Sequence, residues 1–319
     1  MKTAIKRALV TGGAGFIGSH LVDALLAYGC EVVVLDNLST GHLKNIEHVS
    51  KKIDFREGDI RDLNTMQKSA IGCDVIFHLA AVVSVPQTVS DPITSADVND
   101  LGSLHVLESA RLQGVKRVVL SSSCAVYGDD PEIPKHENMQ LRPQSPYAVQ
   151  KFTNELNARL YAELYGLETV CLRYFNVFGP RQDPSSPYSG VISIFMTRAV
   201  GKEPPTIYGD GQQFRDFIYV KDVVQANLLA AATQDSSGAV FNIGTGNHVR
   251  INQLWESIAA MAGVAFPPDF AEYRAGDIIE SVANIQKAVS SLGFKPKYSF
   301  QEGLQTTFNW YCGGKTNDI

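Results

Sequence analysis

The sequence predicts an α/β fold: a doubly wound parallel sheet, followed by a smaller, discontinuous α/β part in the C-terminal half. Three observations predict it. Short apolar, β-branched runs alternate with helical patterns from residue 8 to about residue 243. The first run ends in a glycine-rich turn that opens directly into a helical pattern. Gly12, Asp36, Asp59, Ala80 and Ser123 each follow the carboxyl end of a run, where ligands of such sheets bind.

Ala8-Leu9-Val10-Thr11 reads as a buried parallel strand. It enters Gly12-Gly13-Ala14-Gly15-Phe16-Ile17-Gly18 and then a helical pattern to about Tyr28. Glycines at 12, 15 and 18 suit a tight turn, backbone approach to a pyrophosphate, and close packing of helix on strand. The helix then turns its N–H groups and dipole toward the phosphates. This is a Rossmann-like dinucleotide pattern. The next strand, Glu31 to Leu35, ends at Asp36. An acid there accepts hydrogen bonds from ribose hydroxyls and repels a 2′-phosphate, which favours NAD over NADP. The alternative is that Asp36 only starts a turn with Asn37.

Further strands are Ile53 to Arg56, ending near Asp59-Ile60, then Asp74 to Ala81, Val115 to Leu120 before Ser121-Ser122-Ser123, and Glu168 to Leu172. His78 lies within a strand and reads as a satisfied core histidine. The histidines show no ligand spacing and the five scattered cysteines contain no Cys-x-x-Cys, so no metal site is expected. That cysteine usage fits a reducing, cytoplasmic compartment. The net charge of -5 argues against nucleic-acid and membrane-surface partners, and no apolar run reaches the ~18 residues that span a bilayer. The start of the chain passes into its first strand without room for a signal peptide.

Pro146-Tyr-Ala-Val-Gln-Lys151 places Tyr147 and Lys151 four residues apart, on one face of a helix. A lysine ammonium beside a tyrosine favours the phenolate and lowers its pKa, which equips the pair to take a proton from an alcohol. Taken alone, the spacing is equally that of an amphipathic helix.

With these motifs in register the chain resembles the extended short-chain dehydrogenase/reductases, and within them the UDP-glucose 4-epimerase family. The resemblance rests on Thr11 to Gly18, Asp36-Asn-Leu-Ser-Thr-Gly41, Gly58-Asp-Ile-Arg-Asp62 and His78-Leu-Ala-Ala81. It continues through Ser121-Ser-Ser-Cys-Ala-Val-Tyr-Gly128, Pro146 to Lys151 and Arg173-Tyr-Phe-Asn176. It implies an NAD site lined by Phe16, Ile17, Asp36, Asn37, Leu38, Ser39, Thr40, Gly41, Asp59, Ile60, Leu79, Ala80, Ala81, Val83, Asn99 and Phe175. It implies a catalytic triad: Ser123 holds the sugar hydroxyl, Tyr147 is the base, and Lys151 grips the nicotinamide ribose. Cys124, directly after the serine, reads as packing. The related dehydratases carry Asp-Glu there, and Cys124-Ala125 cannot do the work of a carboxylate.

The second half looks like the sugar-nucleotide reader. A helix is expected from Val191 to Val200 and another from Lys221 to Ala232, followed by the strand Val240 to Ile243. The expected division gives residues 1–175 and about 215–246 to the NAD domain, and about 176–214 and 247–319 to the UDP-sugar domain. A pyrophosphate needs cations, and Arg215 and Arg274 are the candidates, since guanidinium matches phosphate bidentately; surface arginines also serve as solvated salt-bridge partners. The resemblance adds Ser84, Asn176, Val191, Thr206, Tyr208 and Asp277 to the substrate side. It also points to Ser281 as the residue facing carbon 2 of the sugar, where a small side chain admits an N-acetyl group. The implied activity is reversible 4-epimerisation of UDP-hexoses, with UDP-N-acetylglucosamine and UDP-N-acetylgalactosamine among the substrates. A dehydratase or decarboxylase, or a non-catalytic NAD-binding protein of the same fold, stands as the alternative. A homodimer is expected through helices at about Gly102–Gln113 and Tyr147–Tyr165. These carry apolar Leu101, Leu104, Val106 and Leu107, and Leu156, Leu160, Tyr161 and Leu164.

Overall fold

The computed structural model describes residues 5–183, 190–273 and 280–313. In chain order its elements are β1 (Arg7–Thr11), α1 (Phe16–Ala27), β2 (Glu31–Asp36), β3 (Ile53–Glu57), α2 (Leu63–Ala70), β4 (Val75–His78), α3 (Val85–Ser90), α4 (Pro92–Ala96), α5 (Ser103–Leu112), β5 (Arg117–Ser123), α6 (Pro146–Tyr165), β6 (Glu168–Tyr174) and β7 (Asn176–Phe178). They continue with α7 (Val191–Val200), β8 (Thr206–Tyr208), β9 (Phe214–Arg215), β10 (Phe217–Tyr219), α8 (Val220–Ala232), β11 (Ala239–Ile243), β12 (Val249–Arg250), α9 (Ile251–Ala262), β13 (Asp269–Ala271), β14 (Glu280–Ser281), α10 (Gln286–Leu292) and α11 (Phe300–Tyr311).

Seven strands form one parallel sheet in the order β11-β6-β5-β4-β1-β2-β3. Side chains alternate across it, as strand geometry requires. Ala8, Val10, Val32, Val34, Val75 and Phe77 face α1, α8 and α10. Leu9, Val33, Leu35 and Ile76 face α2, α5 and α6. Burial on both faces explains the nearly unbroken apolar runs. The strand order reverses direction between β1 and β4, which opens a crevice above their carboxyl ends.

A separate apolar cluster joins α7, α9 and α11 to the parallel pair β7 and β10. Phe16 and Ile17 of α1 pack against this cluster too, so the glycine-rich turn is wedged between it and the main sheet. Two small sheets, β12-β9-β14 and β13-β8, frame its upper edge.

The helix of the Tyr-x-x-x-Lys motif starts and stops where its sequence dictates. Ser145 caps it by accepting the Ala148 N–H at 3.2 Å, and Pro146 occupies the first position, where no N–H is needed. Gly166 ends it in the left-handed conformation at φ 69°.

The two helices expected at a dimer contact are present as α5 and α6, but part of their apolar surface is core. Residues Asp97–Gly102 form a turn of π-helix, and α5 begins only at Ser103. Val106 and Leu107 are wholly buried in the core beside Met66 and Ala110, so they offer nothing to a partner. Leu101, Leu156, Leu160 and Leu164 are exposed.

Candidate functional site

The glycine-rich turn is held shut by contacts that exclude any side chain. A Cβ on Gly18 would lie 2.1 Å from the Gly12 carbonyl oxygen. Gly12 has φ +70°, and a Cβ there would lie 2.8 Å from the Ala80 nitrogen. The turn after β1, the first turn of α1 and the segment after β4 therefore close on one another. No side chain caps α1 at Gly15, which leaves its leading N–H groups directed out of the helix above the sheet.

Asp36, at the end of β2, pins this cradle. Its carboxylate accepts the Ala14 N–H at 2.9 Å and the Leu38 N–H at 2.8 Å. Burial pushes its pKa up against those two bonds. Gly41 lies so close that a Cβ would meet both carboxylate oxygens at 2.8 Å. Leu38 takes φ 58°, and Asn37 donates to Asp59 at 2.8 Å. The Arg61 guanidinium holds the Asp59 carboxyl at about 2. Ser39 and Thr40 are exposed beside this turn, and Ile60 is buried beneath it. Leu79, Ala80 and Ala81 are half-buried after β4, and Val83 is exposed. Ser84 accepts the Gln87 N–H at 3.2 Å as the cap of α3.

Asn99 is buried behind the segment that follows β4. Its amide bonds the Val82 N–H at 2.8 Å, the Val82 carbonyl at 2.9 Å and Gln150 at 2.7 Å, which ties the loop after β4 to α6. It acts on the crevice through Val82.

Ser123, Tyr147 and Lys151 come together at the ends of β5 and α6. Ser123 accepts the Ala125 N–H at 3.2 Å, which turns the chain out of β5. Tyr147 faces the Ser123 hydroxyl, whose interaction favours the phenolate, but burial dominates and pushes the phenol up to about 12. Lys151 is 2% exposed; its Nζ donates to the Ser121 carbonyl at 3.0 Å and lies 5.9 Å from the Tyr147 ring centre. Burial brings its ammonium down to about 8. The expected depression of the tyrosine by Lys151 is thus corrected. Burial governs the phenol, and the lysine ammonium, engaged with the Ser121 carbonyl, is not among the groups that shift it.

Behind the dyad, His78 is the satisfied core histidine anticipated. Ser103 donates its one proton to the Asn99 carbonyl at 2.6 Å, so His78 Nε2 donates to Ser103 at 2.8 Å and Nδ1 accepts from Thr11 at 2.8 Å. Burial lowers its pKa to about 3.

On the far side of the crevice β14 pairs with β9, which sets Ser281 opposite Arg215. The Ser281 side chain interacts with Cys124, whose thiol burial pushes up to about 11. Ser281 is thereby one residue removed from Ser123. Arg215 donates to the Phe214 carbonyl at 3.0 Å. Asn176 Nδ2 donates to the Asp216 carbonyl at 3.2 Å, Val191 opens α7, and Phe175 is buried with Ala283. Thr206 is exposed and Tyr208 half-buried on β8. Arg274 and Asp277 lie outside the described residues.

Four residues of this region were not anticipated. Asp216 is a buried hub that accepts from the Thr245 N–H at 2.8 Å, the Thr245 hydroxyl at 2.7 Å, the Gly246 N–H at 2.9 Å and the Ala283 N–H at 3.1 Å. Ser122, Glu155 and Arg173 form a network beneath the dyad. In the sequence Ser122 and Arg173 lie within motifs that carry the resemblance, and Glu155 repeats the four-residue spacing of Tyr147 and Lys151, but nothing marks the three as partners.

The model of the NAD dependent epimerase/dehydratase family matches residues 8–244. The chain belongs to this family. It is 40% identical over 304 residues to a putative UDP-glucose 4-epimerase of Methanocaldococcus jannaschii, covering 95% of this chain and 97% of that protein. The UDP-N-acetylglucosamine 4-epimerase of Methanobrevibacter ruminantium, solved with UDP-N-acetylmuramic acid, superposes with a TM-score of 0.93 at 41% identity. That match covers 97% of this chain and 98% of the other. The UDP-glucose 4-epimerase of Thermus thermophilus, solved with NAD, gives a TM-score of 0.88 at 40% identity, covering 97% of this chain and 100% of the other.

The cofactor of this epimerase/dehydratase family is NAD, and the residues present fit it. The uncapped helix and the glycine contacts leave a cradle that any Cβ would fill, and a buried carboxylate stands at the end of β2. Among the described residues no cluster of His, Cys, Asp and Glu could hold a metal ion, and no helix is long and apolar enough to cross a membrane.

Proposed function

We propose that the chain interconverts UDP-hexoses that differ at carbon 4, with UDP-N-acetylglucosamine and UDP-N-acetylgalactosamine as substrates and UDP-glucose and UDP-galactose as further ones. The observation that carries this reading is the meeting of Ser123, Tyr147 and Lys151 with a wall of Cys124 and Ser281. The first three can move a proton on and off an alcohol. Neither Cys124 nor Ser281 is a carboxylate that could eliminate water from a neighbouring carbon, and Ser281 is small enough to leave room for an acetamido group. The curated and structural relatives named above, one of them a UDP-N-acetylglucosamine 4-epimerase, support the same reading.

In this mechanism Ser123 holds the 4-hydroxyl and Tyr147 takes its proton. Tyr147 returns the proton after the sugar has presented its other face. Lys151 supplies positive charge on the tyrosine side. Bound NAD supplies the hydride acceptor and donor that passage through a ketone requires. Arg215, with Arg274, reads the diphosphate by charge-assisted hydrogen bonds. The NAD portion would be residues 1–175 and about 215–246, and the sugar-nucleotide portion the remainder. The protein would act as a homodimer through the exposed leucines of α6 and Leu101.

Incubation with a panel of UDP-sugars without added NAD, with 4-epimers read by NMR, tests the proposal. Formation of UDP-N-acetylgalactosamine from UDP-N-acetylglucosamine is expected. Turnover of the plain hexoses alone removes the N-acetyl assignment, and release of water or carbon dioxide from a sugar removes the epimerase reading.

A further inference from the structure

One group of charged side chains is buried directly under the site and is not used by the mechanism above. Glu155 lies one helical turn beyond Lys151 on the same face of α6. Its Oε1 accepts the Ser122 hydroxyl at 2.6 Å and Arg173 Nε at 2.8 Å, and its Oε2 accepts Arg173 Nη2 at 2.7 Å. The two charged side chains, Arg173 and Glu155, are 4% and 3% exposed. Arg173 also donates to the Tyr127 phenol at 2.8 Å and lies 4.8 Å over its ring, and Tyr127 donates to Asn242 at 2.6 Å. The network thus fastens α6, β5, β6 and β11 together at one level of the sheet.

A buried ion pair is a poor source of stability, because desolvation offsets its attraction. Its place says what else it does. Ser122 precedes Ser123, and Glu155 follows Lys151 by one turn, so the pair fixes the strand end and the helix that the site requires in register. The groups facing Lys151 are Asp100 from the π-helical turn, Glu155 from its own helix, Cys171 from β6, His78 from β4, Ser121 from β5 and Tyr147. Burial keeps His78 and the Cys171 thiol uncharged. Asp100 and Glu155 are the acids whose charge favours the Lys151 ammonium. One buried oxygen of Asp100 has no hydrogen-bond partner, whereas both carboxylate oxygens of Glu155 are bound.

We propose that Glu155, held by Arg173 and Ser122, is a positioning residue for Tyr147 and Lys151: it sets α6 against the end of β5 and fixes a carboxylate one helical turn from Lys151. This rests on the reading of Ser123, Tyr147 and Lys151 as the reacting groups. Glu155 touches neither substrate nor cofactor and acts through Lys151 and Ser122.

The test uses the full chain as purified, with an isotope label at the lysine ε-carbons and the Lys151 signal assigned by its loss in Lys151→Met. Glu155→Gln keeps the shape and removes the charge. It should lower the Lys151 titration midpoint by a fraction of a pH unit, since Asp100 is the stronger of the two acids acting on it. It should also lower kcat about 10- to 100-fold with KM within about twofold, because misplacement of reacting groups is felt in the chemical step. Ser122→Ala, which removes only the strand tether, should lower kcat and leave the midpoint unmoved. If Glu155→Gln fails to fold, Glu155→Leu/Arg173→Met places apolar side chains where the pair was and carries the kcat readout. An unmoved midpoint in folded Glu155→Gln, or wild-type kcat in Ser122→Ala or in the double variant, overturns the proposal. The titration needs no turnover, so it separates the two readings. A wild type that epimerises no UDP-sugar removes the function, and a wild type that does so with an unmoved midpoint in the variant removes only the role of Glu155.

Discussion

Lys151→Met should stabilise the nucleotide-free protein while abolishing its turnover. The lysine ammonium is taken out of water with one backbone carbonyl and one hydroxyl as hydrogen-bond partners. Its fall from the ordinary 10.5 to about 8 corresponds to ~3 kcal/mol of unfavourable burial at ~1.4 kcal/mol per pH unit. Methionine fills the same channel without charge and leaves the Ser121 carbonyl short of one donor, a loss of about 1 kcal/mol. The net gain is ~2 kcal/mol, or ~3 °C in Tm for a chain of 319 residues. The pH dependence has a definite sign. Below about 8 the lysine is protonated in both folded and unfolded chains, and the burial cost is fully present. Between about 8 and 10.5 the folded chain gives up its proton first, the unfolded chain holds more protons, and wild-type stability rises with pH. The advantage of the methionine variant should therefore be largest near neutrality and vanish above 10.5. Paired thermal melts of both proteins across that range measure it. A variant less stable than wild type at about pH 7, or an advantage that stays constant to pH 10.5, refutes the account of Lys151 as a destabilising, functional charge.

Tyr147→Phe should keep the fold and the bound NAD, and lower kcat by roughly 10²–10⁴-fold in the UDP-sugar assay, because no second base is at hand. Gly18→Ala should release NAD and cost about 1–3 kcal/mol of stability, since its Cβ meets the rigid Gly12 carbonyl; nucleotide recovered on denaturation and a chemical melt read both effects. Ser281→Tyr should abolish turnover of the N-acetylated UDP-hexoses while sparing the plain ones, and equal loss of both would show that the pocket wall lies elsewhere. Leu160→Glu/Leu164→Glu should change the particle seen by light scattering from twice 34.8 kDa to 34.8 kDa, and a wild type already at the lower mass removes the dimer.

The legible parts of this protein are those that local chemistry determines. A glycine at 12 is demanded by a positive φ, and one at 18 by a carbonyl in the space a methyl would need. Apolar runs on both faces of β1, β2 and β4 follow from helices on both sides of the sheet. Ser145 and Pro146 announce α6, and so spacing alone puts Tyr147 and Lys151 on one face of it. In the second half this advantage disappears. β9, β12 and β14 are two residues long, and a strand of that length has no period to detect. They exist because Asp216, from the middle of the chain, collects N–H groups from residues 245, 246 and 283. The same limit explains two residues near the site whose partners the sequence does not announce. Asn99 has as its partners Val82 and Gln150, 17 and 51 residues away. Glu155 sits on a helix where a glutamate ordinarily faces water. It is buried because Arg173 arrives from the next strand with a bidentate guanidinium, and because Ser122 stands on the strand before. Spacing along the chain can put Tyr147, Lys151 and Glu155 in a row. Only the sheet can turn the third of them inward, and it does so by bringing an arginine whose position in the sequence carries no mark of that partnership.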